Sequence, residues 1–379
     1  MPAEFQIFVK PVGASCNLGC TYCYYLEKKD IYKGAGSLRM SDEILEKYIK
    51  QHIGASSDDQ VFFSWHGGEP LLAGIDFYRK AVAIQKKYLP PGRSVVNGIQ
   101  TNGTLINDEW CRFFRTENFV IGISIDGPEY FHNKHRLTTT GEPTLSRVLK
   151  GFDMLREYKI SSEILCVVSS HNSRDPIKIY NFFRELGARY ITFLPLVEKD
   201  HSKASGASDA SVNPEEFGRF LSSIFDEWTE HDIGRIKIQI FEEALRRAFN
   251  QEHTLCIFKP ECGGVPVVEH NGDFYSCDHY VDSDHIVGDI NNALLSDLLD
   301  SPRQKEFGKA KSKTLPRYCL ECDVRDMCNG ECPKNRFIST PDGEPGLNYL
   351  CSGYKLFFNH CKPFIDVLRK TWLNQGKSA

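Results

Sequence analysis

A chain of 379 residues, 41 % hydrophobic and 25 % charged, has an ordinary globular composition and is too long for one small domain. Its net charge is −4 and no Lys/Arg run stands out, which argues against nucleic acid and against a membrane surface as partner. The opening residues lack a cationic start, a long apolar run and a cleavage site, and no window approaches the roughly 18 apolar residues of a membrane span. The expected location is the cytoplasm, and the expected partner a peptide or small molecule.

Strand-like runs at 5–9, 61–65, 94–100, 119–125, 163–168 and 190–194 alternate with helical patterns such as 41–53 and 144–158. In the second of these helices Val148, Leu149, Phe152 and Leu155 share one face, and a further helix is expected from about 173 to a stop at Gly187. Six strand–helix alternations imply an α/β protein: a parallel sheet with helices outside, open or closed into a barrel. A Ser/Ala/Gly/Asp-rich loop at 201–211 leads to Asn213 as helix cap, with Pro214 in the first turn. Phe217, Phe220, Leu221, Ile224, Phe225 and Trp228 mark that helix's buried face. Beyond Gly234 the sequence becomes cysteine-rich and turn-rich, with short strand runs at 265–269 and 274–276. The expected division is therefore 1–234 and 235–379.

Fourteen cysteines in a chain this long point to metal or redox chemistry rather than a disulfide framework. Three form a C-x3-C-x2-C loop, Cys16, Cys20 and Cys23, just after the first strand. Three thiolates on one loop can hold three irons of a four-iron cluster and leave the fourth iron open, as catalytic metal sites do. An open iron can chelate the amino and carboxylate groups of S-adenosylmethionine, with the aromatic Tyr22 packed on the adenine side. Spacing alone also admits a zinc knuckle that borrows His66. The second strand ends in WHGGEP, where Gly67 and Gly68 allow close backbone approach and Glu69 offers an acceptor for an amino group. Eight further cysteines follow: Cys256, Cys262, Cys277, Cys319, Cys322, Cys328, Cys332 and Cys351. They suffice for two fully ligated four-iron clusters, and equally for two closed zinc sites. Cys111, Cys166 and Cys361 stand alone and read as buried packing.

CNLGCTYC and GGEP resemble the cluster and cofactor motifs of the radical S-adenosylmethionine superfamily. The resemblance implies a partial (β/α)6 TIM-type barrel followed by a cysteine-rich SPASM domain of small β-hairpins and helices. It also places Ser124 and Arg136 near the cofactor, although Arg136 reads equally as a solvated charge. Seven of the eight C-terminal cysteines fit the SPASM pattern, with Cys256 as the extra ligand. By that resemblance Cys256, Cys262, Cys277 and Cys332 hold the nearer auxiliary cluster, and Cys319, Cys322, Cys328 and Cys351 the farther one. The three 4Fe–4S clusters and S-adenosylmethionine would be served by an electron donor such as flavodoxin or ferredoxin.

SWHGGEPLLAG, GIQTNGTLINDEWC, GISIDGP, CVVSS and YSCDHYV make the whole chain similar to anaerobic sulfatase-maturating enzymes. That family oxidises a Cys or Ser of a sulfatase polypeptide to Cα-formylglycine. The implied steps are hydrogen abstraction from Cβ, proton transfer to a base, and electron transfer to the auxiliary clusters. Asp278 matches the base, and burial beside a cluster is expected to raise its proton affinity; the bland reading is a turn cap. His66 and Tyr24 are the expected substrate-binding residues, His66 for orientation. The alternatives are another SPASM peptide modifier forming thioether or C–C crosslinks, and a non-catalytic iron–sulfur or zinc protein. The first often carries an N-terminal peptide-recognition domain, for which no room is expected before Phe5. The second leaves GGEP unexplained.

Overall fold

The computed structural model describes residues 5–33 and 38–375; the first four residues, part of the stretch read for a targeting signal, lie outside these. Ten strands run β1 Phe8–Val9, β2 Gln60–Trp65, β3 Ser94–Thr101, β4 Val120–Ser124, β5 Ser162–Val168, β6 Tyr190–Pro195, β7 Lys237–Ile238, β8 Val267–Val268, β9 Asp273–Tyr275 and β10 Ile286–Asp289. Two more, β11 Ile338–Ser339 and β12 Pro345–Leu347, form a separate antiparallel pair. Among the described residues no helix is long and apolar enough to cross a membrane.

The chain forms two compact units. The first comprises Met1–Ile125, His132–Glu163 and Gly263–Gly308. Its strands lie in the order β10-β9-β8-β1-β2-β3-β4, parallel from β8 to β4 and antiparallel across β10-β9-β8. Phe8 pairs with Val267 and Val9 with Val268, so a hairpin from late in the chain is stitched to the edge of the first strand. The helix Asp42–Ala55 starts where Ser41 accepts a hydrogen bond from the Ile44 amide. Its face meets Phe63 and Trp65 of β2 through the buried Tyr48.

The second unit comprises Asp126–Phe131, Ile164–Cys262 and Lys309–Ala379. Here β6 runs parallel to β5 and to β7. The helix Pro214–His231 is capped by Asn213, whose side chain accepts from the Glu215 and Glu216 amides, with Pro214 in the first turn. All six residues expected on its inner face are buried. They pack on the helix Cys351–Gln375, with the Phe217 and Tyr354 rings 5.6 Å apart. Burying each such ring contributes about 2 kcal/mol. Gly218 lets the backbones meet: a Cβ there would sit 2.6 Å from the Gly353 carbonyl oxygen.

Several expected elements shrink. The run 5–9 gives only Phe8–Val9, although Gln6 N to Gly264 O (2.8 Å), Phe8 N to Pro266 O (2.9 Å) and Lys10 N to Val268 O (2.9 Å) keep one regular spacing along it. The helix expected from 173 begins at Pro176, since 169–175 is wound into turns in which Asn172 accepts from the Ser169 amide at 2.8 Å. The run 265–269 narrows to β8, and the run 274–276 is found one residue earlier as β9.

Candidate active site

The cysteine loop leaves β1 and folds at once against the end of β2. Gly68 donates to the Gly13 carbonyl and Glu69 to the Ser15 carbonyl, both at 2.8 Å. A Cβ on Gly68 would lie 2.0 Å from the Ser15 oxygen, and Gly67 has φ +126° with its Cβ position 2.8 Å from the Gly13 oxygen. The backbone these glycines admit is thus the chain's own loop 13–15. The Cys16 sulfur accepts from the Leu18 amide (3.4 Å) and approaches the Asn102 side-chain amide (3.8 Å). Burial, aided by Glu69, Cys20 and Cys23, pushes the Cys16 thiol up to about 12. Such a sulfur ionises where a cation compensates it, as iron would.

Glu69 is fully buried. Its Oε1 accepts from Leu71 N (3.0 Å) and Thr101 Oγ1 (2.7 Å), and its Oε2 from Asn102 N (2.8 Å). Three of about four acceptor positions are therefore used to tie the end of β2 to the end of β3. Burial raises the carboxyl to about 7 against these hydrogen bonds. Ser124, at the end of β4, accepts from Gln100 Nε2 at 3.1 Å. Arg136 is buried, its guanidinium 5.5 Å from the Tyr22 ring centre, so the solvated-charge reading is set aside. The backbone beside it holds the cysteine loop through Gly19 N to Leu137 O (2.9 Å) and Thr21 N to His135 O (3.1 Å).

Asp278 follows β9 and meets Lys10 at the end of β1, with Lys10 Nζ 2.5 Å from Asp278 Oδ1. Tyr24 donates its hydroxyl to Asp278 Oδ2. Lys10 is buried and its ammonium also lies 4.2 Å from the Tyr25 ring centre. The expectation of a raised proton affinity for Asp278 is corrected here. Burial does push the carboxyl up, but the positive charge facing it, Lys10 first, outweighs it and holds the group well below the usual carboxylate range. His66 stacks on Phe8 with centroids 3.8 Å apart and planes 11° from parallel. Burial and the Lys10 charge lower its pKa to about 3, so the ring is neutral. Tyr24 is 47 % exposed, a wall residue with its hydroxyl turned inward.

In the second unit Cys319, Cys322, Cys328 and Cys351 line one cavity, together with Tyr318 and Lys355. These are the four cysteines assigned above to one cluster, and an all-thiol wall suits iron–sulfur ligation. Cys351 opens the C-terminal helix and Cys319 lies in the short helix Arg317–Leu320. Cys256 and Cys262 are electrostatic neighbours, and burial first, then Cys262, raises Cys256 to about 11. Cys277 stands in the first unit beside Asp278. Cys111, Cys166 and Cys361 are fully buried. Sequence reasoning missed Lys10, Lys311 and Arg336. Lys10 was findable as the cation closing an otherwise apolar strand.

Residues 11–183 match the Radical SAM superfamily model, and 262–323 match SPASM, an iron–sulfur cluster-binding domain. The molecule is accordingly a radical S-adenosylmethionine oxidoreductase that uses iron–sulfur clusters. A serine-type anaerobic sulfatase-maturating enzyme of Bacteroides thetaiotaomicron is 45 % identical over 98 % of this chain and 93 % of its own length. A cysteine-type counterpart from Clostridium perfringens is 32 % identical over 94 % and 96 %. The solved structure "Native anSMEcpe with bound AdoMet and Cp18Cys peptide" superposes with a TM-score of 0.87 at 30 % identity, covering 97 % of this chain and 100 % of that one. The chain belongs to the anaerobic sulfatase-maturating enzymes. Its fold is the expected one, a partial (β/α)6 barrel with a SPASM domain.

Proposed function

We propose that this enzyme oxidises a Cys or Ser of a sulfatase polypeptide to Cα-formylglycine, with Asp278 as the proton acceptor. The observation that carries the reading is the Lys10–Asp278–Tyr24 constellation, in the same compact unit as the cysteine triplet and the GGEP turn. The peptide-bound solved relative supports a peptide substrate. The higher identity to a serine-type relative supports a Ser peptide as the first to test.

Cys16, Cys20 and Cys23 would hold the cluster that lets S-adenosylmethionine supply a radical for removing one hydrogen atom from Cβ, and clusters on the C-terminal cysteines would take up one electron. The chain's residues do the rest. Loss of that hydrogen acidifies the remaining O–H or S–H, and Asp278, already ionised through Lys10, takes the proton. Each carboxylate oxygen keeps an acceptor position free of Tyr24 and Lys10. A Ser side chain thereby becomes the aldehyde; a Cys side chain becomes a thioaldehyde that water converts. Neutral His66, fixed on Phe8, orients the substrate. Tyr22, Arg136, Ser124, Gly67, Gly68 and Glu69 shape the cofactor side.

The reading includes three 4Fe–4S clusters on the cysteine sets given above, a radical domain over 1–234, a SPASM domain over 235–379, a flavodoxin or ferredoxin as donor, and a cytoplasmic location. The two family matches fall on either side of the 234/235 division, which supports it. Anaerobic incubation with peptides bearing CxPxR or SxPxR, read by mass, tests the activity. Loss of two hydrogens from Ser, or conversion of Cys to the same aldehyde, supports it; unchanged peptide with ongoing cofactor cleavage contradicts it.

A further inference from the structure

The second unit buries two cations that the reaction described so far does not use. Lys311 is 1 % exposed, and its ammonium donates to the carbonyls of Cys256 (2.9 Å) and Ile257 (2.7 Å). Arg336 is half-buried, and its guanidinium donates to four carbonyls: Lys311 (2.6 Å), Gly330 (2.9 Å), Asn329 (3.0 Å) and Glu331 (3.3 Å). The two are thus coupled, with Arg336 gripping the backbone of Lys311. Among the described residues neither forms an ion pair with a carboxylate. Of the buried carboxylates nearby, Glu331 is turned instead to the side-chain amides of Asn335 (3.1 Å) and Asn348 (2.6 Å), and Glu243 to the amides of Thr254 (3.0 Å) and Leu255 (3.1 Å).

A buried cation without an anion is costly, because carbonyl dipoles replace its hydration only in part. Something with negative charge belongs beside these two. Burial pushes the Lys311 ammonium below its usual range, and Cys262, Cys256 and Glu331 oppose that in this order. Burial acts on Arg336 in the same direction, opposed by Cys319, Cys262, Glu331 and Cys328. Lys311 is bonded to the backbone of Cys256 itself, and Arg336 holds the carbonyls of residues 329–331, the stretch that joins Cys328 of the farther set to Cys332 of the nearer one. A four-thiolate 4Fe–4S cluster carries net negative charge in either state, and one more unit when reduced. A fixed positive charge in a low-dielectric wall stabilises the reduced form more than the oxidised form.

We propose that Lys311 and Arg336 are potential-setting residues, which raise the reduction potential of the auxiliary clusters so that the electron released by the substrate passes to them. This rests on the reading that the eight C-terminal cysteines hold iron–sulfur clusters. The step balances: the substrate radical, having given its proton to Asp278, loses one electron, and one auxiliary cluster gains it. Lys311 sits at the nearer set and dominates there, while Arg336 links the two sets.

The experiment is a redox titration, followed by electron paramagnetic resonance, of the full-length enzyme reconstituted anaerobically, with iron and sulfide counted on each sample. Wild type is compared with Lys311→Met and Lys311→Arg. The expected result for Lys311→Met is full iron content and an auxiliary signal whose one-electron equilibrium is shifted at least tenfold toward the oxidised form, about 59 mV. Lys311→Arg returns that signal to within threefold of wild type, and the N-terminal cluster is unmoved in both. An auxiliary potential unchanged in Lys311→Met at full iron content overturns the proposal. So does loss of iron in Lys311→Met and Lys311→Arg alike, which would make Lys311 a structural clamp on the Cys256 loop. Wild type with only four irons, or with zinc in the C-terminal cysteines, overturns the cluster reading itself.

Discussion

Lys10 Nζ lies 2.5 Å from Asp278 Oδ1, and the pairing of β1 with β8 is what brings the two together. The ion pair holds the Asp278 carboxyl well below the usual carboxylate range, so its role is to receive a proton that the reaction itself has made acidic. Removing the cation tests this. Lys10→Met is expected to lose about 3 kcal/mol of stability, as for breaking a buried pair from one side. It should still cleave S-adenosylmethionine, while the ratio of deoxyadenosine to oxidised peptide rises. Chromatography of both products checks it, and Lys10→Arg should recover part of the coupling.

Gly68 predicts a sharper effect from a smaller change. Its added Cβ would meet the Ser15 carbonyl at 2.0 Å, forcing the cysteine loop outward. Gly68→Ala should therefore lose the first cluster, with iron falling from about twelve to about eight per chain. Gly54→Ala has nothing within 4 Å of the new methyl, lies in a helix, and should retain all its iron. It should gain about 0.5–1 kcal/mol.

Glu69 gives a pH dependence whose sign is fixed. Its folded-state pKa is raised from 4.5 to about 7, so the folded chain holds this proton more tightly than the unfolded chain does. The stability from protonation is fully present below pH 4.5 and is lost as pH rises through about 7. Relative to Glu69→Gln, wild type should therefore gain about 2.5 kcal/mol between pH 8 and pH 5. Parallel denaturation of the two apo-proteins at both pH values measures the difference.

Much of this was legible in the sequence, for local reasons. Asn213 with Pro214, and Ser41 before its helix, are signals carried by adjacent residues, and the structure uses both as caps. The cysteine spacing and GGEP are likewise local, and the chain folds them against each other through Gly68 and Glu69. The charge on Asp278 was not legible. Burial alone argued for a raised proton affinity, and the opposing Lys10 is contributed by a strand whose partner depends on long-range register. Arg336 was hidden for a similar reason: its partners are backbone carbonyls, which leave no trace in side-chain pattern.

The three solitary cysteines make a negative prediction. Cys111, Cys166 and Cys361 are fully buried, so alanine at each should cost stability and leave the iron and sulfide counts unchanged. Elemental analysis of each variant decides it, and loss of four irons in any one would make that cysteine a ligand.

The central claim is that Asp278 takes the proton in a peptide oxidation driven from the cysteine triplet. The most direct test is the mass of an SxPxR peptide after anaerobic turnover by wild type and by Asp278→Asn, with cofactor cleavage followed in the same tubes. The account predicts loss of two hydrogens with wild type, and product slowed about 100-fold or more in Asp278→Asn while cleavage and iron content persist. Aldehyde formed at the wild-type rate by Asp278→Asn would contradict it.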